Sequence, residues 1–227
     1  MRLRPIIVLG VERSGTSVVS DLIHRWGAHP GDLSRHVATD DHNPQGYFEY
    51  LPMQTLLHDV LVATQTSLWH PDFKGRMERL ALDPHFSARA AALVAEMEAS
   101  GQPWLWKDPL MSLQMPFWER FVPAPVCVVT VRNPNDSGRS FARMNFSEAL
   151  RRRIRTDAYF GFRWQFTMLA ILEYLDHNPE HLFIRYERLL ADPAGQVARL
   201  CRFLDDRLAA EGGAEERRAL MNAAVQP

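Results

Sequence analysis

The sequence predicts an α/β fold in three layers, with helices on both faces of a mostly parallel central sheet. Short all-apolar runs, of the kind that form buried parallel strands, alternate along the chain with longer segments whose apolar residues recur at helical spacing. This alternation is typical of a parallel sheet, because each crossover between parallel strands is long enough to hold a helix. No internal repeat, low-complexity segment or linker interrupts it. We therefore expect a single domain that spans residues 1–227.

The apolar runs and the periodic segments define the expected elements. Strands are expected at residues 6–9, 104–106, 126–131 and 182–186. Helices are expected at residues 18–26, 49–69, 85–100, 111–121, 137–145 and 156–177, followed by closing helices between 189 and 204. The segments 28–47 and 70–84 contain many turn-forming and polar residues and are expected to be irregular. The tail after residue 205 is expected either to fray or to form one more helix.

Composition and charge exclude several classes of protein. The net charge of −1 gives no overall attraction to nucleic acid or to a membrane surface, so an anion site has to be local. No window approaches the roughly 18 apolar residues that span a bilayer, and Arg13 soon follows an apolar run that is too short for a signal peptide. Cys127 and Cys201 stand among apolar residues, which indicates packed thiols and a cytoplasmic protein. The arginine run at 151–155 is expected to be a solvated helix face.

The segment from Gly10 to Ser17, between the first strand and the first helix, carries groups that bind phosphate or sulfate. The start of a helix presents free backbone N–H groups and the positive end of the helix dipole. Gly15 lets the backbone approach an anion closely, and Thr16 and Ser17 add hydroxyl donors. Such a P-loop-like segment favours an anion ligand, although a strand–loop–helix turn that binds nothing also fits this segment alone.

The loop departs at one position from the nucleoside triphosphate loop G-x-x-x-x-G-K-[ST]. Gly10 and Gly15 have its spacing, but Thr16 stands where the lysine belongs. The positive charge comes instead from Arg13, whose planar guanidinium suits tetrahedral oxyanions. We therefore expect anion transfer without a metal rather than a Mg²⁺-dependent NTPase, and the sequence has no cluster of metal-binding residues at the usual spacing.

Polar and basic residues follow all four expected strands. The groups are Glu12-Arg13-Ser14, Lys107-Asp108, Arg132-Asn133-Pro134 and Arg185-Tyr186-Glu187. The carboxyl ends of parallel strands meet at one edge of the sheet, where α/β proteins bind their ligands. Only two of the 26 Lys and Arg residues are lysines, which favours a specific role for the compact ammonium of Lys107, with Asp108 to orient it. This convergence of basic residues predicts a dianionic or polyanionic ligand.

At these four places the sequence resembles the sulfotransferases that use 3′-phosphoadenosine 5′-phosphosulfate (PAPS). Residues 10–17 are similar to their 5′-phosphosulfate loop, in the R-S-G-T-[ST] form of the tyrosylprotein and Golgi carbohydrate enzymes rather than the lysine form of the cytosolic aryl-type enzymes. Residues 131–134, together with Ser140, resemble the strand and helix that bind the 3′-phosphate. Residues 106–109 resemble the K-D-P element, and residues 185–193 resemble the signature R-Y-E-x-L-x-x-D-P. The four motifs stand in the family's order and indicate a bacterial member.

The resemblance implies a role for each matched residue. The 5′-phosphosulfate would be held by Arg13, Ser14, Gly15, Thr16 and Ser17. The 3′-phosphate, which distinguishes PAPS from ATP, would be held by Arg132 and Ser140, and Tyr186 would help to shape the site. Lys107 would neutralise the bridging oxygen as the sulfuryl group leaves. Glu49, in an N-P-x-G-x-x-E run, would act as general base.

Several assignments stay open. Glu49 also fits a favourable contact with the start of a helix, and His36 or His42 in the preceding loop would serve as an alternative base. The R-K-G element that grips the nucleotide in aryl-type enzymes is missing here. The adenine pocket is therefore unassigned, with Trp164 or the segment near Arg199 as candidates.

The sequence thus predicts a PAPS-dependent sulfotransferase. It would move a sulfuryl group directly, in line, to a hydroxyl of a carbohydrate or a small hydroxylated metabolite and release 3′,5′-ADP. The expected partner is a small-molecule or glycan acceptor, with no nucleic acid and no membrane span. Two other functions stay open. One is a P-loop-type kinase that acts on a small metabolite with ATP, which the missing loop lysine disfavours, and the other is a non-catalytic nucleotide-binding module.

Overall fold

The computed structural model describes residues 4–40, 43, 46–143, 157–178, 180–208 and 213–224. The strands in this part of the chain are β1 (Ile6–Gly10), β2 (Leu105–Lys107), β3 (Val126–Val131) and β4 (His181–Arg185). They form one sheet in the order β2-β1-β3-β4, and every neighbouring pair is parallel. The predicted α/β fold with a parallel central sheet is confirmed. Each expected strand is present, although Tyr186 begins a helix instead of ending β4.

Helices separate and follow the strands in the described residues. They are α1 (Thr16–Trp26), α2 (Leu51–Ala63), α3 (Phe73–Leu80), α4 (Pro84–Glu98), α5 (Met111–Trp118), α6 (Pro134–Ala142), α7 (Asp157–Leu175), α8 (Tyr186–Ala191), α9 (Pro193–Asp205) and α10 (Ala214–Ala223). A short 3₁₀ helix, Leu33–Arg35, lies in the long loop after α1.

The helices cover both faces of the sheet because successive strand residues point to opposite sides. In β1, Ile7 and Leu9 pack on one side with residues of α2, α3, α4, α5 and α7. Ile6 and Val8 pack on the other side with residues of α1, α8, α9 and α10. All of β1 is buried, which explains why its sequence is a continuous apolar run rather than an alternating one. The three-layer arrangement is confirmed.

The segment 70–84, which we expected to be irregular, contains α3. Its two buried residues, Phe73 and Met77, lie one turn apart and pack on the core. Asp72, just before the helix, pairs with Arg76 and Arg79. Only Phe73, Met77 and Leu80 are apolar in this eight-residue helix, and a pattern this short does not predict a helix from the sequence alone.

One other helix ends earlier than expected, and the tail after residue 205 adopts one of the two expected states. α2 ends at Ala63 rather than near residue 69, because Gln65 adopts a positive φ of 51° and turns the chain away. The tail after residue 205 does form a further helix, α10, whose Met221 is fully buried. Residues 144–145 of an expected helix, the arginine run at 151–155 and His42 lie outside the described residues.

The expectation of packed thiols has a structural counterpart. Cys127 and Cys201 are buried free thiols. In the part of the chain that the structure describes, every helix is too short or too polar to cross a membrane.

The parallel order brings the carboxyl ends of the strands to one edge of the sheet. β1 lies between β2 and β3, and it ends at Gly10 beside Thr130 of β3. Lys107 ends β2 on the other side, and Val131 ends β3. The loops that follow these three strands therefore face a common space.

Candidate active site

A cavity of about 370 Å³ lies at the carboxyl ends of β1, β2 and β3, and its volume is within the range of small-molecule sites. Eight of the ten site residues that we expected from the sequence line it. They are Arg13, Gly15, Thr16, Ser17, Glu49, Lys107, Arg132 and Tyr186. Ser14 and Ser140 are not part of the cavity wall. The fold thus brings together residues that are far apart in the sequence.

The β1–α1 loop is shaped by two residues with positive φ. Gly15 (φ 92°) precedes α1, and a Cβ at this position would overlap the ring of Tyr186. Since glycine has no side chain to cap the helix, the first N–H groups of α1 remain available to a ligand. Arg13 (φ 64°) adopts a left-handed conformation that non-glycine residues seldom take. The loop therefore offers backbone donors and a guanidinium to the same space.

The hydroxyl of Ser14 is directed away from the cavity. Ser14 is 1% exposed, and its Oγ donates to the carbonyl of Val11 at 2.6 Å. It also shares a hydrogen bond of 2.8 Å with Oγ1 of Thr130 in β3. The side chain of Ser14 thus supports the loop from within the sheet, whereas Thr16 and Ser17 line the cavity.

The two arginines that we assigned to opposite ends of the ligand are linked through the loop. Arg13 Nε donates to Oγ of Ser140 at 3.0 Å, and Arg132 Nη1 donates to the carbonyl of Arg13 at 3.0 Å. The guanidinium of Arg132 lies 4.6 Å from the ring centroid of Tyr186, a cation–π contact. Ser140 therefore contacts the arginine of the 5′ loop and does not itself line the cavity.

The two residues that we expected to carry the chemistry form a buried ion pair. Lys107 is 2% exposed, and its Nζ donates to Oε1 of Glu49 at 2.6 Å. The same ammonium donates to the carbonyl of Tyr47 at 2.8 Å and to Oγ of Ser17 at 3.3 Å. Phe48, which lies between Tyr47 and Glu49 in the loop that leads to α2, has a φ of 56°. All three N–H groups of Lys107 are thus directed at protein oxygens.

Gln54 belongs to the site although no sequence motif indicates it, and Asp108 has other hydrogen-bond partners than the expected Lys107. Asp108 does not hydrogen-bond Lys107; its Oδ1 accepts from the N–H of Leu110 at 2.8 Å, and its Oδ2 accepts from Nε2 of Gln54 at 3.3 Å. Burial, with a further contribution from the nearby charge of Glu49, raises the pKa of Asp108 to about 6.

Two other contacts that hold the site leave no local signal in the sequence. Glu12 lines the cavity and forms a bidentate ion pair with Arg163 of α7, 151 residues away in the chain. Glu187 Oε1 accepts a hydrogen bond of 2.7 Å from the backbone N–H of Asn133. This second bond joins the segment after β3 to the segment after β4, and it gives the glutamate of R-Y-E a structural role.

The remaining candidates lie at different distances from the cavity. Trp164 of α7 is adjacent to it, since its Nε1 donates to the carbonyl of Arg132 at 3.2 Å. Arg199 instead donates to the carbonyl of Phe183 at 2.8 Å. His36 is not part of the cavity wall, and its Nε2 lies 3.0 Å from the carbonyl of Pro30. Burial lowers the pKa of His36. Among the described residues, Glu49 is the better placed of the two candidate bases.

Among the residues with described positions, no three His, Cys, Asp or Glu side chains come together as a metal site. The cavity thus presents the cationic side chains of Arg13, Lys107 and Arg132 and the backbone of the β1–α1 loop. It also contains the carboxylate of Glu49, which is paired with the ammonium of Lys107.

Comparison with known proteins identifies the fold and the family. The crystal structure of the sulfotransferase STF9 from Mycobacterium avium matches with a TM-score of 0.56 and 16% identity, over 98% of this chain and 68% of that protein. The crystal structure of the sulfotransferase STF1 from Mycobacterium tuberculosis H37Rv matches with a TM-score of 0.55 and 17% identity, over 97% of this chain and 71% of that protein. No curated protein matches significantly. At these identities the structures share the fold. Residues 5–209, which include every element of the candidate site, match the model of the Sulfotransferase family, and the chain therefore belongs to the sulfotransferase family.

Proposed function

We propose that this sulfotransferase takes its sulfuryl group from PAPS and transfers it, by direct in-line displacement, to a hydroxyl of a carbohydrate or a small hydroxylated metabolite. The observation that supports this most directly is the contact of 2.6 Å between Lys107 and Glu49 in the wall of the same cavity as Arg13 and Arg132. One cavity thus contains a carboxylate that suits a general base, an ammonium that suits the leaving group and two arginines that suit the charged ends of a nucleotide.

The donor would lie along the β1–α1 loop. The N–H groups at the start of α1, the hydroxyls of Thr16 and Ser17 and the guanidinium of Arg13 suit a phosphosulfate group. Arg132, stacked on Tyr186, suits the 3′-phosphate. A cavity of about 370 Å³ that is partly open to solvent is compatible with a ligand that extends from this loop toward Arg132.

The transfer needs one proton acceptor and one stabilising cation. Glu49 accepts the proton of the acceptor hydroxyl, whose oxygen forms the new bond to sulfur while the bond from sulfur to the phosphate oxygen breaks. Lys107 stabilises the negative charge that develops on that phosphate oxygen, and it exchanges one of its present hydrogen-bond acceptors to do so. The electron pair of the broken bond leaves with 3′,5′-ADP.

The proposal is tested by calorimetric titration with 3′,5′-ADP and with ADP, both without metal. We expect 3′,5′-ADP to bind at least about tenfold more tightly, which corresponds to about 1.4 kcal/mol from the additional charged contact. Arg132→Ala should remove most of this difference. Arg79→Ala is the matched control, because Arg79 is exposed, pairs with Asp72 and is not part of the cavity wall. Equal binding of the two nucleotides by the unmodified protein would overturn the assignment of a 3′-phosphate site.

Incubation with sulfate-labelled PAPS and a panel of hydroxylated acceptors separates an enzyme from a binding module. Labelled product is expected from the unmodified protein and not from Lys107→Ala or Glu49→Ala. Binding of 3′,5′-ADP without transfer to any acceptor would favour a non-catalytic module. Mg²⁺-dependent turnover of ATP would favour a kinase.

A further inference from the structure

One side-chain amide joins the two carboxylates beside Lys107. Gln54, in the first turn of α2, donates through Nε2 to Oε2 of Glu49 at 3.2 Å and to Oδ2 of Asp108 at 3.3 Å. The other oxygen of Glu49, Oε1, accepts from Lys107 at 2.6 Å. The carboxylate of Glu49 is therefore held at both oxygens, by an ammonium on one side and by an amide on the other.

The amide is anchored on a residue that cannot easily move. Asp108 is 2% exposed, and its second oxygen, Oδ1, accepts from the backbone N–H of Leu110 at 2.8 Å. An amide NH₂ group has two hydrogens, so it can give one to each of two carboxylates. Asp108 thus fixes the position of the amide, and the amide in turn restricts the carboxylate of Glu49.

The charges explain why a neutral donor is needed at this place. Glu49 and Asp108 are two carboxylates beside one ammonium, that of Lys107, in a place that is shielded from water. Like charges in such surroundings repel strongly. A donor between the carboxylates offsets this repulsion, whereas an apolar side chain of the same size would leave two facing oxygens without a shared partner.

We propose that Gln54 is a positioning residue for Glu49. Its amide, anchored on Asp108, keeps the carboxylate of Glu49 in the orientation in which it pairs with Lys107 and faces the cavity. Gln54 is not part of the cavity wall, so it acts through Glu49 rather than on the substrate. The inference rests on the proposed role of Glu49 as general base.

The test compares three variants of the full chain. Gln54→Leu keeps the approximate size of the side chain and removes the donor. Gln54→Glu keeps its shape and adds a third carboxyl group to the site. Thr55→Ala is the matched control, since Thr55 is exposed and its hydroxyl bonds only the carbonyl of Leu51 in the same helix.

Transfer kinetics give the first measurement. Misplacement of a reacting group by about 1 Å costs on the order of 10²-fold in rate, so we expect Gln54→Leu to lower kcat by up to roughly that factor. KM for PAPS and the affinity for 3′,5′-ADP should stay within about twofold, since Gln54 does not contact the donor loop. The acid limb of the kcat–pH profile should move to higher pH, because the hydrogen bond from Gln54 favours the charged form of Asp108 and is lost in this variant. Gln54→Glu should shift the limb further, and Thr55→Ala should shift nothing.

A second measurement does not depend on activity. Carboxyl ¹³C NMR titration of the ligand-free protein should show the Asp108 resonance, assigned with Asp108→Asn, titrating near its pKa of about 6. The groups that face it are Glu49, Lys107, the amide of Gln54 and the N–H of Leu110. In Gln54→Leu this titration should move to higher pH.

The two measurements together separate the possible failures. A lower kcat with an unchanged pH limb and an unchanged NMR titration would mean that Gln54 only packs, and it would overturn the inference. Unchanged kcat would overturn it as well. If the unmodified protein neither binds 3′,5′-ADP nor transfers sulfate, the proposed function fails; the NMR titration then still decides whether Gln54 couples the two carboxylates.

Discussion

Lys74 and Lys107 each form an ion pair with a glutamate at 2.6 Å, but in different surroundings. The pair of Lys74 with Glu173 is 52% and 61% exposed, whereas the pair of Lys107 with Glu49 is 2% and 12% exposed. An exposed pair contributes about 0–1 kcal/mol, since water screens it. Removal of one partner from a buried pair costs about 3–5 kcal/mol, because it leaves an uncompensated charge. The chain thus contains a matched comparison of one residue type in two environments.

We predict that Lys107→Met lowers the free energy of unfolding by about 3 kcal/mol or more, and that Lys74→Met lowers it by less than about 1 kcal/mol. Urea unfolding of both variants measures this difference. Adding Glu49→Gln to Lys107→Met should recover part of the loss, because it removes the unpaired carboxylate. Equal costs for the two lysine variants would contradict the buried ion pair.

At the scale of single residues, the sequence predicted which side chains belong to the site better than it predicted which of them contact each other. The motifs of the sequence predicted that both Lys107 and Glu49 belong to the site, but nothing in the sequence indicated that they contact each other. Gln54 was not selected, because a glutamine in an amphipathic helix has many exposed counterparts and no pattern distinguishes it. The ion pair between Glu12 and Arg163 joins residues 151 positions apart, and such pairs leave no local signal.

At the scale of elements, the β1–α1 loop and the start of α8 form one unit. The ring of Tyr186 packs where a side chain of residue 15 would be, and Arg132 stacks on the same ring. The sequence predicted that a glycine in this loop allows the close approach of an anion. The structure adds a second reason for it, since Gly15 also allows the close approach of Tyr186.

We predict that Gly15→Ala costs more than the backbone strain of an alanine at positive φ. That strain alone is about 1–2 kcal/mol, and Gly101→Ala should show it, since Gly101 has a φ of 68° and open space around a Cβ. Gly15→Ala adds the overlap with Tyr186, so it should lower the free energy of unfolding further and weaken the binding of 3′,5′-ADP.

The overlap is removed in a Tyr186→Ala background. There, Gly15→Ala should cost only about as much as Gly101→Ala in thermal or urea unfolding. If Gly15→Ala and Gly101→Ala cost the same in the unmodified protein, the close packing of Tyr186 on the loop is contradicted.

Elements with a strong apolar pattern were predictable from the sequence, and features that depend on tertiary contacts or on the backbone of one residue were not. β1 and β3 are continuous apolar runs in the centre of the sheet, and the sequence predicted them within one residue. α3 was missed because its stability comes from tertiary burial of Phe73 and Met77. The end of α2 depends on the backbone of Gln65, a residue type with no particular preference for positive φ.

At the scale of the whole molecule, the parallel sheet converts sequence order into a site. The strand order β2-β1-β3-β4 places the loop after β1 between the end of β2 and the end of β3. Lys107 and Arg132, 25 positions apart in the numbering, therefore lie on opposite sides of the same loop. The sequence predicted that the strand ends converge. It did not predict which strand lies beside β2, because the apolar runs of β1 and β3 are equally compatible with that position.

The fold also gives the molecule a dependence of stability on pH that its composition does not suggest. Burial raises the pKa of Asp108 from 3.8 to about 6, so between these values the folded protein binds more protons than the unfolded chain. This contribution of Asp108 is fully present below pH 3.8 and is lost as the pH rises through about 6. A shift of this size corresponds to about 3 kcal/mol at 1.36 kcal/mol for each pKa unit.

We therefore predict that the free energy of unfolding of the unmodified protein, minus that of Asp108→Asn, falls by about 2–3 kcal/mol between pH 4 and pH 8. Subtraction of the two urea-unfolding series removes the contributions of all other groups that titrate alike in both proteins. Asp72→Asn is a control of opposite sign, because hydrogen bonds from Arg76 and Arg79 lower the pKa of exposed Asp72. The corresponding difference for that variant should rise with pH chiefly below pH 4 and change little between pH 4 and pH 8. If the difference for Asp108→Asn stays constant across this range, Asp108 is ionised in the folded protein as readily as in water. The pKa of Asp108 is then not raised by burial, and the buried network around Glu49 carries one more negative charge near pH 5 than the structure indicates.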